Sequence, residues 1–373
     1  MKILVVTNDY PPRQGGIQTF VRAIVDQLPP GDVTVFASTS DGASAYDAGS
    51  PFEVVRHPTA MLLPTPAVTR AVVATMRRVG ADRVWFGAAA PLGLMAPQLR
   101  RAGARRLVGS THGHETGWAM SPGTRQVLRR IAAGLDVTTY ITDYTRARLH
   151  GLLGPVTDLR RLSPGVDVDR FTPAVDGSDL RDALGLAGKQ VIGCISRLVP
   201  RKGQDVLVEA MPRILHRHPD AALLLVGGGR YADHLVRRVD RLGLAGHVVL
   251  TGPRSVGELP AAYAACDVFA MPARTRRLGW DVEGLGMVYL EAAATGKPVI
   301  AGASGGAPEA VQDGRTGLVV GEPSSPEAVA AAVVELLDDP GRASAMGAAG
   351  REWVVRDWTW RRQAEALVGM LAG

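Results

Sequence analysis

Two carboxylates stand eight residues apart in the segment from Asp281 to Ala292. Glu283 lies in a glycine-flanked loop, and Glu291 lies about one turn into a predicted helix. The first turn of a helix offers free N–H groups to a phosphate or to sugar hydroxyls. A carboxylate accepts hydrogen bonds from neighbouring hydroxyls, as on a ribose or a hexose. Apolar residues surround Glu291, and a buried carboxylate needs partners. The spacing predicts a site for a hydroxyl-bearing ligand; the alternative for Glu291 is a solvent-facing charge on a helix.

A second segment, from Ser196 to Gly203, combines three cations with a glycine where a predicted strand gives way to a helix. The guanidinium of Arg197 and the ammonium of Lys202 are suited to hold a diphosphate and to offset charge on a departing phosphate. Only four lysines occur in the chain, so a lysine at this position indicates a need for a compact point charge. The alternative is a solvated basic loop.

The first predicted strand leads into a loop with a glycine pair, Gly15 and Gly16, that opens a helix. Backbone N–H groups at such a position attract phosphate, and glycine lets the phosphate come close. The spacing is not that of a dinucleotide-binding fingerprint, and no acidic residue follows about 20 residues later at the end of the second strand. A nicotinamide site is therefore disfavoured, whereas a phosphate contact and a plain turn both remain open.

His112 lies in a polar run, Ser110 to Glu115, directly after another predicted strand. The run favours a contact with a sugar as much as an ordinary loop position. A zinc site built from His112, His114 and Glu115 has poor tetrahedral spacing. No other Cys/His cluster has zinc spacing, so no metal is expected.

The elements that position these residues alternate between apolar strands and helices, which predicts an α/β fold with parallel, doubly wound sheets. Strands are predicted at 3–8, 33–37, 54–57, 84–88, 106–110, 137–142, 191–195, 222–226, 247–250, 268–271, 298–301 and 318–320. Helices are predicted at 17–28, 67–80, 92–101, 123–134, 144–152, 203–216, 231–242, 286–295, 325–338 and 341–355, with an apolar helical pattern from 358 to 371.

A break in this rhythm at Leu162 to Asp167 predicts two domains, which suits a length of 373 residues. We expect Rossmann-like domains over 1–170 and 171–355, and a C-terminal helix over 356–373 that packs back on the first domain. Ligands of such folds bind at the carboxyl ends of the strands, so the sequence predicts a site in the cleft between the domains.

Composition bounds the partners of the protein. Hydrophobic residues at 46% and charged residues at 21% are typical of a soluble globular protein, and no apolar run reaches transmembrane length. Two cysteines and no export signal predict a cytoplasmic protein without disulfides. The net charge of +6 suits an anionic partner such as nucleic acid, anionic lipid or a phosphorylated substrate, although a preference for arginine explains it equally well.

The predicted helix over 67–80 is amphipathic and basic. Val68, Val72, Met76 and Val79 share one face, the arginines at 70, 77 and 78 lie away from it, and an apolar stretch precedes the helix at 61–63. Such a helix can lie on anionic lipid. The alternative is a surface helix whose apolar face covers the sheet.

Four stretches together resemble the family 4 retaining glycosyltransferases of the GT-B fold, over the whole length of the chain: Gly15 to Gln18, Ser196 to Gly203, Glu283 to Glu291 and the Pro-Gly-Val-Asp linker at 164–167. More particular stretches are similar to those members that add a second mannose to phosphatidylinositol monomannoside: 85–91, 111–115, 196–205, 271–276 and 282–308. The resemblance implies an N-terminal acceptor-binding domain and a C-terminal nucleotide-sugar-binding domain. It also implies a GDP-mannose donor, a phosphoinositide-type glycolipid acceptor, no cofactor or essential metal, no nucleic acid, and peripheral association with the anionic inner face of the plasma membrane.

The resemblance also implies roles for individual residues. Arg197, Lys202 and the N–H of Gly16 would bind the pyrophosphate. Glu283 would bind the donor sugar, and Glu291 would bind the ribose. His112 would lie beside the reacting sugar. The residues after Glu283 would complete the donor site: Gly284, Leu285, Gly286, Met287 and Val288. Tyr10 and Gln18 fall where acceptor contacts would lie. The sequence departs from the family at Leu285, where many members carry phenylalanine.

Other functions are compatible with parts of this pattern. A family 4 enzyme with another acceptor, either soluble inositol or a polysaccharide, would keep the same donor chemistry. A GT-B sugar-nucleotide epimerase would act on the donor alone. A nicotinamide oxidoreductase is the third alternative, and phosphorylase-like chemistry would need a cofactor-bearing lysine, for which only Lys297 stands late in the chain.

Overall fold

The computed structural model describes all 373 residues, which form two compact units. The first unit comprises Met1–Gly165 and Trp360–Gly373, and the second comprises Val166–Thr359. The domain boundaries predicted from the sequence were 170 and 355. In the structure the chain passes into the second unit after Gly165 and returns to the first after Thr359. The first and last residues of the second unit lie side by side. Val166 pairs with Thr359, and the N–H of Val166 donates to the carbonyl of Trp358 at 2.8 Å.

The first unit contains a seven-stranded parallel sheet with the order β3-β2-β1-β4-β5-β6-β7. Its strands are β1 Ile3–Thr7, β2 Val33–Ser38, β3 Glu53–His57, β4 Arg83–Phe86, β5 Arg106–Ser110, β6 Val137–Tyr140 and β7 Asp158–Arg161. The helices before the second unit are α1 Gly16–Val25, α2 Ala43–Asp47, α3 Pro66–Val79, α4 Ala96–Arg101, α5 Glu115–Met120, α6 Pro122–Ala133 and α7 Asp143–Leu153. The six predicted strands are confirmed. β7 escaped prediction because it is an edge strand with one apolar residue, Leu159.

The second unit contains a six-stranded parallel sheet with the order β10-β9-β8-β11-β12-β13. Its strands are β8 Gln190–Ile195, β9 Ala221–Val226, β10 Val248–Gly252, β11 Val268–Met271, β12 Val299–Gly302 and β13 Gly317–Val320. Its helices are α8 Ser178–Ala183, α9 Gln204–Arg217, α10 Ala232–Arg241, α11 Leu259–Ala264, α12 Met287–Ala294, α13 Pro326–Asp338 and α14 Pro340–Asp357. Both sheets are doubly wound, and the strand order reverses beside β1 and beside β8, where such folds bind ligands.

The last helix, α15 Trp360–Ala372, belongs to the first unit. Trp360 packs edge-on against Phe20 of α1, with ring centroids 6.0 Å apart. At the other end of α15, Arg83 donates to the carbonyl of Leu371 at 2.7 Å and Arg106 donates to that of Met370 at 3.0 Å. These two arginines satisfy carbonyls that a helix C-terminus leaves without intrahelical partners.

The amphipathic helix of the sequence analysis is α3, and its apolar face is turned inward. Val68, Val72 and Met76 are buried in the core cluster beneath the sheet, and the hydroxyl of Thr65 caps the helix by accepting from the N–H of Val68 at 3.3 Å. Of the two alternatives, the structure thus shows the helix that covers the sheet. None of the helices combines the length and the apolar character needed to cross a bilayer.

Candidate functional site

The basic segment of the second unit follows the carboxyl end of the central strand β8. Gly203, which precedes α9, has a φ of 78°, and a Cβ at this position would lie 2.2 Å from the carbonyl oxygen of Pro272. Gln204 then ties the segment together, because its Nε2 donates to Ser196 Oγ at 2.9 Å and to the carbonyl of Arg197 at 3.0 Å. A glycine and a buried amide thus fix the loop between β8 and α9.

Lys202 and Glu283 form a buried ion pair. Lys202 Nζ lies 2.7 Å from Glu283 Oε2, and each side chain is 8% exposed. Arg201 approaches the same carboxylate, with Nε 3.6 Å from Oε2, and its Nη1 lies 3.5 Å from Asp281 Oδ1. Burial by itself would raise the pKa of Glu283, but the nearby charges of Lys202 and Arg201 lower it below its ordinary value. The resemblance implies that Lys202 contacts the diphosphate of the donor and Glu283 its sugar, and the structure places these two side chains in contact with each other. Arg201 is a third member of this cluster, to which the sequence analysis assigned no role.

The loop around Glu283 is held by close backbone packing. The N–H of Gly306 donates to the carbonyl of Glu283 at 2.9 Å, and a Cβ on Gly305 would lie 2.1 Å from that same oxygen. Gly284 and the buried side chain of Leu285 lead to Gly286, which caps α12 with a φ of 88°.

The first N–H groups of α12, those of Met287 and Val288, have no acceptor within the helix. The predicted donor-site segment is therefore a helix N-terminus placed beside the Lys202–Glu283 pair in one unit.

Glu291 lies on α12, half-buried, and accepts a hydrogen bond at Oε2 from the hydroxyl of Tyr263 at 2.5 Å. Burial raises the pKa of Glu291, although Tyr263, Arg170 and Lys202 oppose this effect. The carboxylate of Glu291 thus has the hydrogen-bond partner that a carboxylate among apolar residues needs.

Arg197 differs from Lys202 in its surroundings. Its side chain is exposed and makes no hydrogen bond or ion pair with the protein. One of the two predicted phosphate ligands is therefore free, and the other is buried and paired.

A second ion pair, partly buried, lies at the same edge of the sheet. Asp205 Oδ2 accepts from Arg274 Nη2 at 2.6 Å and from the hydroxyl of Tyr231 at 3.0 Å. Sequence reasoning missed this group. Its signals were an acidic residue in the first turn of α9 and an arginine just after β11.

In the first unit, His112 follows β5 and is oriented by the backbone. Its Nε2 lies 2.6 Å from the carbonyl oxygen of Gly87, which only accepts, so Nε2 carries the hydrogen. Burial lowers the pKa of His112, and the neutral ring therefore leaves Nδ1 as an acceptor. Phe20 packs edge-on against the imidazole at 5.0 Å. The backbone N–H groups of His112 and Gly113 donate to Glu115 Oε2, which fixes the turn.

The loop after β1 brings a further carboxylate toward His112. Asp9 Oδ1 accepts from Gln18 Nε2 at 2.8 Å, and burial raises the pKa of Asp9 even though His112 and His114 oppose this. Sequence reasoning missed Asp9, although it stands in the polar loop that was singled out. Gly16 is exposed at the first position of α1.

Tyr10 is 1% exposed, and its ring packs against the guanidinium of Arg56 at 5.2 Å. In this structure Tyr10 supports the loop, and its contact with an acceptor stays a prediction.

No group of three or more His, Cys, Asp or Glu side chains in the structure is arranged to hold a metal ion. Cys194 and Cys266 are both buried and free. Burial raises the pKa of each thiol to about 12, so neither is a thiolate at neutral pH.

Comparisons with known proteins cover both units. The family described as "Glycosyltransferase Family 4" matches residues 14–170, and that described as "Glycosyl transferases group 1" matches residues 178–353. The chain is 51% identical over 376 residues to a GDP-mannose-dependent alpha-(1-6)-phosphatidylinositol monomannoside mannosyltransferase of Mycolicibacterium smegmatis, covering 100% of this chain and 98% of that protein. It is 50% identical over 375 residues to the corresponding enzyme for the monoacylated acceptor in Corynebacterium glutamicum, covering 99% and 97%.

Among solved structures, Anabaena Alr3699/HepE in complex with UDP matches with a TM-score of 0.84 at 22% identity over the full length of both chains. This likeness shows the fold, two Rossmann-like units of the GT-B type, as the resemblance implied. The full-length identity to the curated relatives shows the family: the chain belongs to the family 4 glycosyltransferases.

Proposed function

We propose that the protein is a retaining α-mannosyltransferase that moves mannose from GDP-mannose to phosphatidyl-myo-inositol monomannoside, giving the dimannoside. The observation that carries this proposal is the identity of 50–51% over nearly the whole chain to enzymes named for that reaction. The cations and carboxylates of the second unit suit the donor, because they provide charge for a diphosphate and acceptors for hydroxyls.

The donor is held by residues of the second unit. Arg197, which is exposed and unpaired, binds the diphosphate through its guanidinium fork. Lys202 contributes a point charge, which Glu283 keeps in place from 2.7 Å. Glu283 also accepts from hydroxyls of the mannose, and Glu291 accepts from the ribose. The N–H groups at the start of α12 add donors for phosphate or hydroxyl oxygens, and in the first unit the N–H of Gly16 does the same for the diphosphate.

Retention at the anomeric carbon often involves a carboxylate nucleophile. Glu283 is a poor candidate here because Lys202 and Arg201 hold its charge. The acceptor hydroxyl therefore attacks on the face from which the diphosphate leaves, and the leaving phosphate takes its proton. Arg197 and Lys202 stabilise the charge on the departing diphosphate. The neutral Nδ1 of His112 accepts from a hydroxyl of the reacting sugar. Trapping a covalent mannosyl-enzyme would reject this mechanism.

The acceptor reaches the enzyme at a membrane surface. Met61 and Leu63, which precede α3, are 62% and 49% exposed, and the arginines at 70, 77 and 78 lie away from the buried face of that helix. Exposed apolar side chains next to cations suit the anionic inner face of the plasma membrane. Gln18, which is tied to Asp9, contacts the inositol. The protein is thus a cytoplasmic enzyme that associates peripherally with its membrane.

A transfer assay tests the proposal. Labelled GDP-mannose or UDP-glucose is supplied with phosphatidylinositol monomannoside in detergent, with free inositol, or with no acceptor. We expect label in a dimannoside only with GDP-mannose and the glycolipid. A labelled inositol mannoside would favour the soluble acceptor, and a new sugar nucleotide without acceptor would favour an epimerase. Arg197→Ala should abolish transfer without changing the melting temperature, whereas Arg237→Ala, at an exposed arginine of α10, should change neither.

A further inference from the structure

A single buried hydroxyl orients the carboxylate of Glu291. The hydroxyl of Tyr263 donates to Oε2 at 2.5 Å, and no protein group donates to Oε1. Tyr263 is fully buried at the end of α11, and its ring contacts those of Phe171 and Phe269, each with centroids 5.6 Å apart. Packing therefore fixes the ring, and the ring fixes the hydroxyl.

This contact restricts a torsion that is otherwise soft. The terminal torsion of a glutamate is broad, so an unrestrained carboxylate samples many orientations. A donor at Oε2 selects one orientation and leaves Oε1 as the open acceptor. This preorganisation reduces the conformational entropy that the Glu291 side chain would lose when a ligand's hydroxyls bond to it.

The donor and acceptor roles in the pair are fixed by electrostatics. Burial raises the pKa of Tyr263 well above its ordinary value, so the phenol keeps its proton and donates. Burial also raises the pKa of Glu291, and the Tyr263 hydrogen bond, Arg170 and Lys202 work against that rise. Because Tyr263 donates to Oε2, Oε1 is the oxygen left to accept from a ligand's hydroxyls, which a ribose provides and a dideoxyribose lacks.

We propose that Tyr263 is a positioning residue that fixes Glu291 so that Oε1 accepts from the ribose hydroxyls of the donor. The Tyr263–Glu291 pair thereby sets a preference for ribonucleotide over 2′,3′-dideoxyribonucleotide sugar donors. This inference rests on the proposed function, which assigns Glu291 to the ribose.

Calorimetric titration of the full chain tests the pair. The ligands are GDP and UDP, each beside its 2′,3′-dideoxy counterpart, and the proteins are wild type, Tyr263→Phe and Tyr289→Phe. Tyr289 is the matched control, because it is also fully buried in this unit but donates to the carbonyl of Met271 at 2.7 Å. We expect wild type to bind the ribonucleotide about tenfold more tightly than the dideoxy form. Tyr263→Phe should reduce that ratio several-fold, whereas Tyr289→Phe should keep it.

The outcomes separate the inference from the proposed function. A ratio that is unchanged in Tyr263→Phe overturns the positioning role, as does an equal loss for both ligands with a lowered melting temperature. Glu291→Gln is the second variant if Tyr263→Phe does not fold, and it should abolish the ribose preference. If wild type binds GDP or UDP no more tightly than the dideoxy counterpart, this inference is refuted and the proposed function is not. If wild type binds neither GDP nor UDP, the proposed function is refuted as well.

Discussion

Lys202 and Glu283 share one buried ion pair, with Nζ 2.7 Å from Oε2, although each is proposed to bind a different part of the donor. At 8% exposure each member of the pair supplies the counter-charge that the other lacks after desolvation. A ligand that inserts its diphosphate and sugar next to this pair meets charges already in place, and little reorganisation is required.

Removing one partner of this pair should destabilise the second unit. Lys202→Met leaves the carboxylate of Glu283 buried with only Arg201 nearby, and the loss of a buried partner costs roughly 3–5 kcal/mol. We expect a melting temperature several degrees lower by scanning calorimetry. Arg361→Ala breaks an exposed pair with Glu365 and should shift the transition little. Equal shifts for the two variants would mean that the buried pair contributes nothing to stability.

The two glutamates of the site should respond to acid in opposite directions. The pKa of Glu283 is lowered in the folded state, so its stabilising contribution is complete above its ordinary pKa of 4.5 and is lost as the pH falls through the lower folded value. The pKa of Glu291 is raised, so its ionisation costs stability above the raised value, and that cost disappears as the pH falls toward 4.5.

Melting temperatures of wild type, Glu283→Gln and Glu291→Gln between pH 7 and about pH 3.5 measure both effects. Relative to Glu291→Gln, wild type should gain stability as the pH first falls. Relative to Glu283→Gln, it should lose stability below 4.5. Parallel curves for all three proteins would refute both assignments.

The strands and most helices were predictable because buried parallel strands are continuous apolar runs and their helices carry a clear amphipathic period. The exceptions are instructive. α11 has six residues and a proline, too short for a period to show, yet it carries Tyr263. β7 is an edge strand whose charged residues face no core.

The site residues were recognisable as chemical types near strand ends, but their pairing was not. Lys202 and Glu283 belong to different loops, after β8 and after β11, and only the strand order brings those loops together. The partners of Glu291 and Asp205 depend in the same way on contacts across helices that no local pattern encodes. The spacing of apolar residues in α3 suited both a helix whose apolar face lies on lipid and one whose apolar face covers the sheet. Only the burial of Val68, Val72 and Met76 in the structure distinguishes the two.

His112 should influence turnover rather than donor affinity. Its Nε2–H is committed to the carbonyl of Gly87 at 2.6 Å, so only Nδ1 is available to a substrate. We expect His112→Ala to lower kcat by about a hundredfold with a smaller change in KM for GDP-mannose. His114→Ala, at the exposed neighbouring histidine, should stay near wild type.

The acid limb of the rate profile gives a second test of His112. Because burial lowers its pKa below 6.5, the ring stays neutral through that pH, and turnover should decline only at lower pH. Protonation would turn Nδ1 from an acceptor into a donor. A decline centred above 6.5 that persists in the His112→Ala variant would assign the limb to another group.

Gly203 should be intolerant of a side chain for two reasons that a matched variant can separate. Its φ is 78°, a conformation that costs other residues roughly 1–3 kcal/mol. An added Cβ would also collide with the carbonyl of Pro272 at 2.2 Å. Gly185 has a similar φ of 66° with open space around it, so Gly185→Ala measures the conformational cost alone. We expect Gly203→Ala to melt several degrees below Gly185→Ala and to bind GDP more weakly, because the collision displaces the loop that carries Lys202. Indistinguishable melting temperatures and GDP affinities would show that the loop relaxes without disturbing the site.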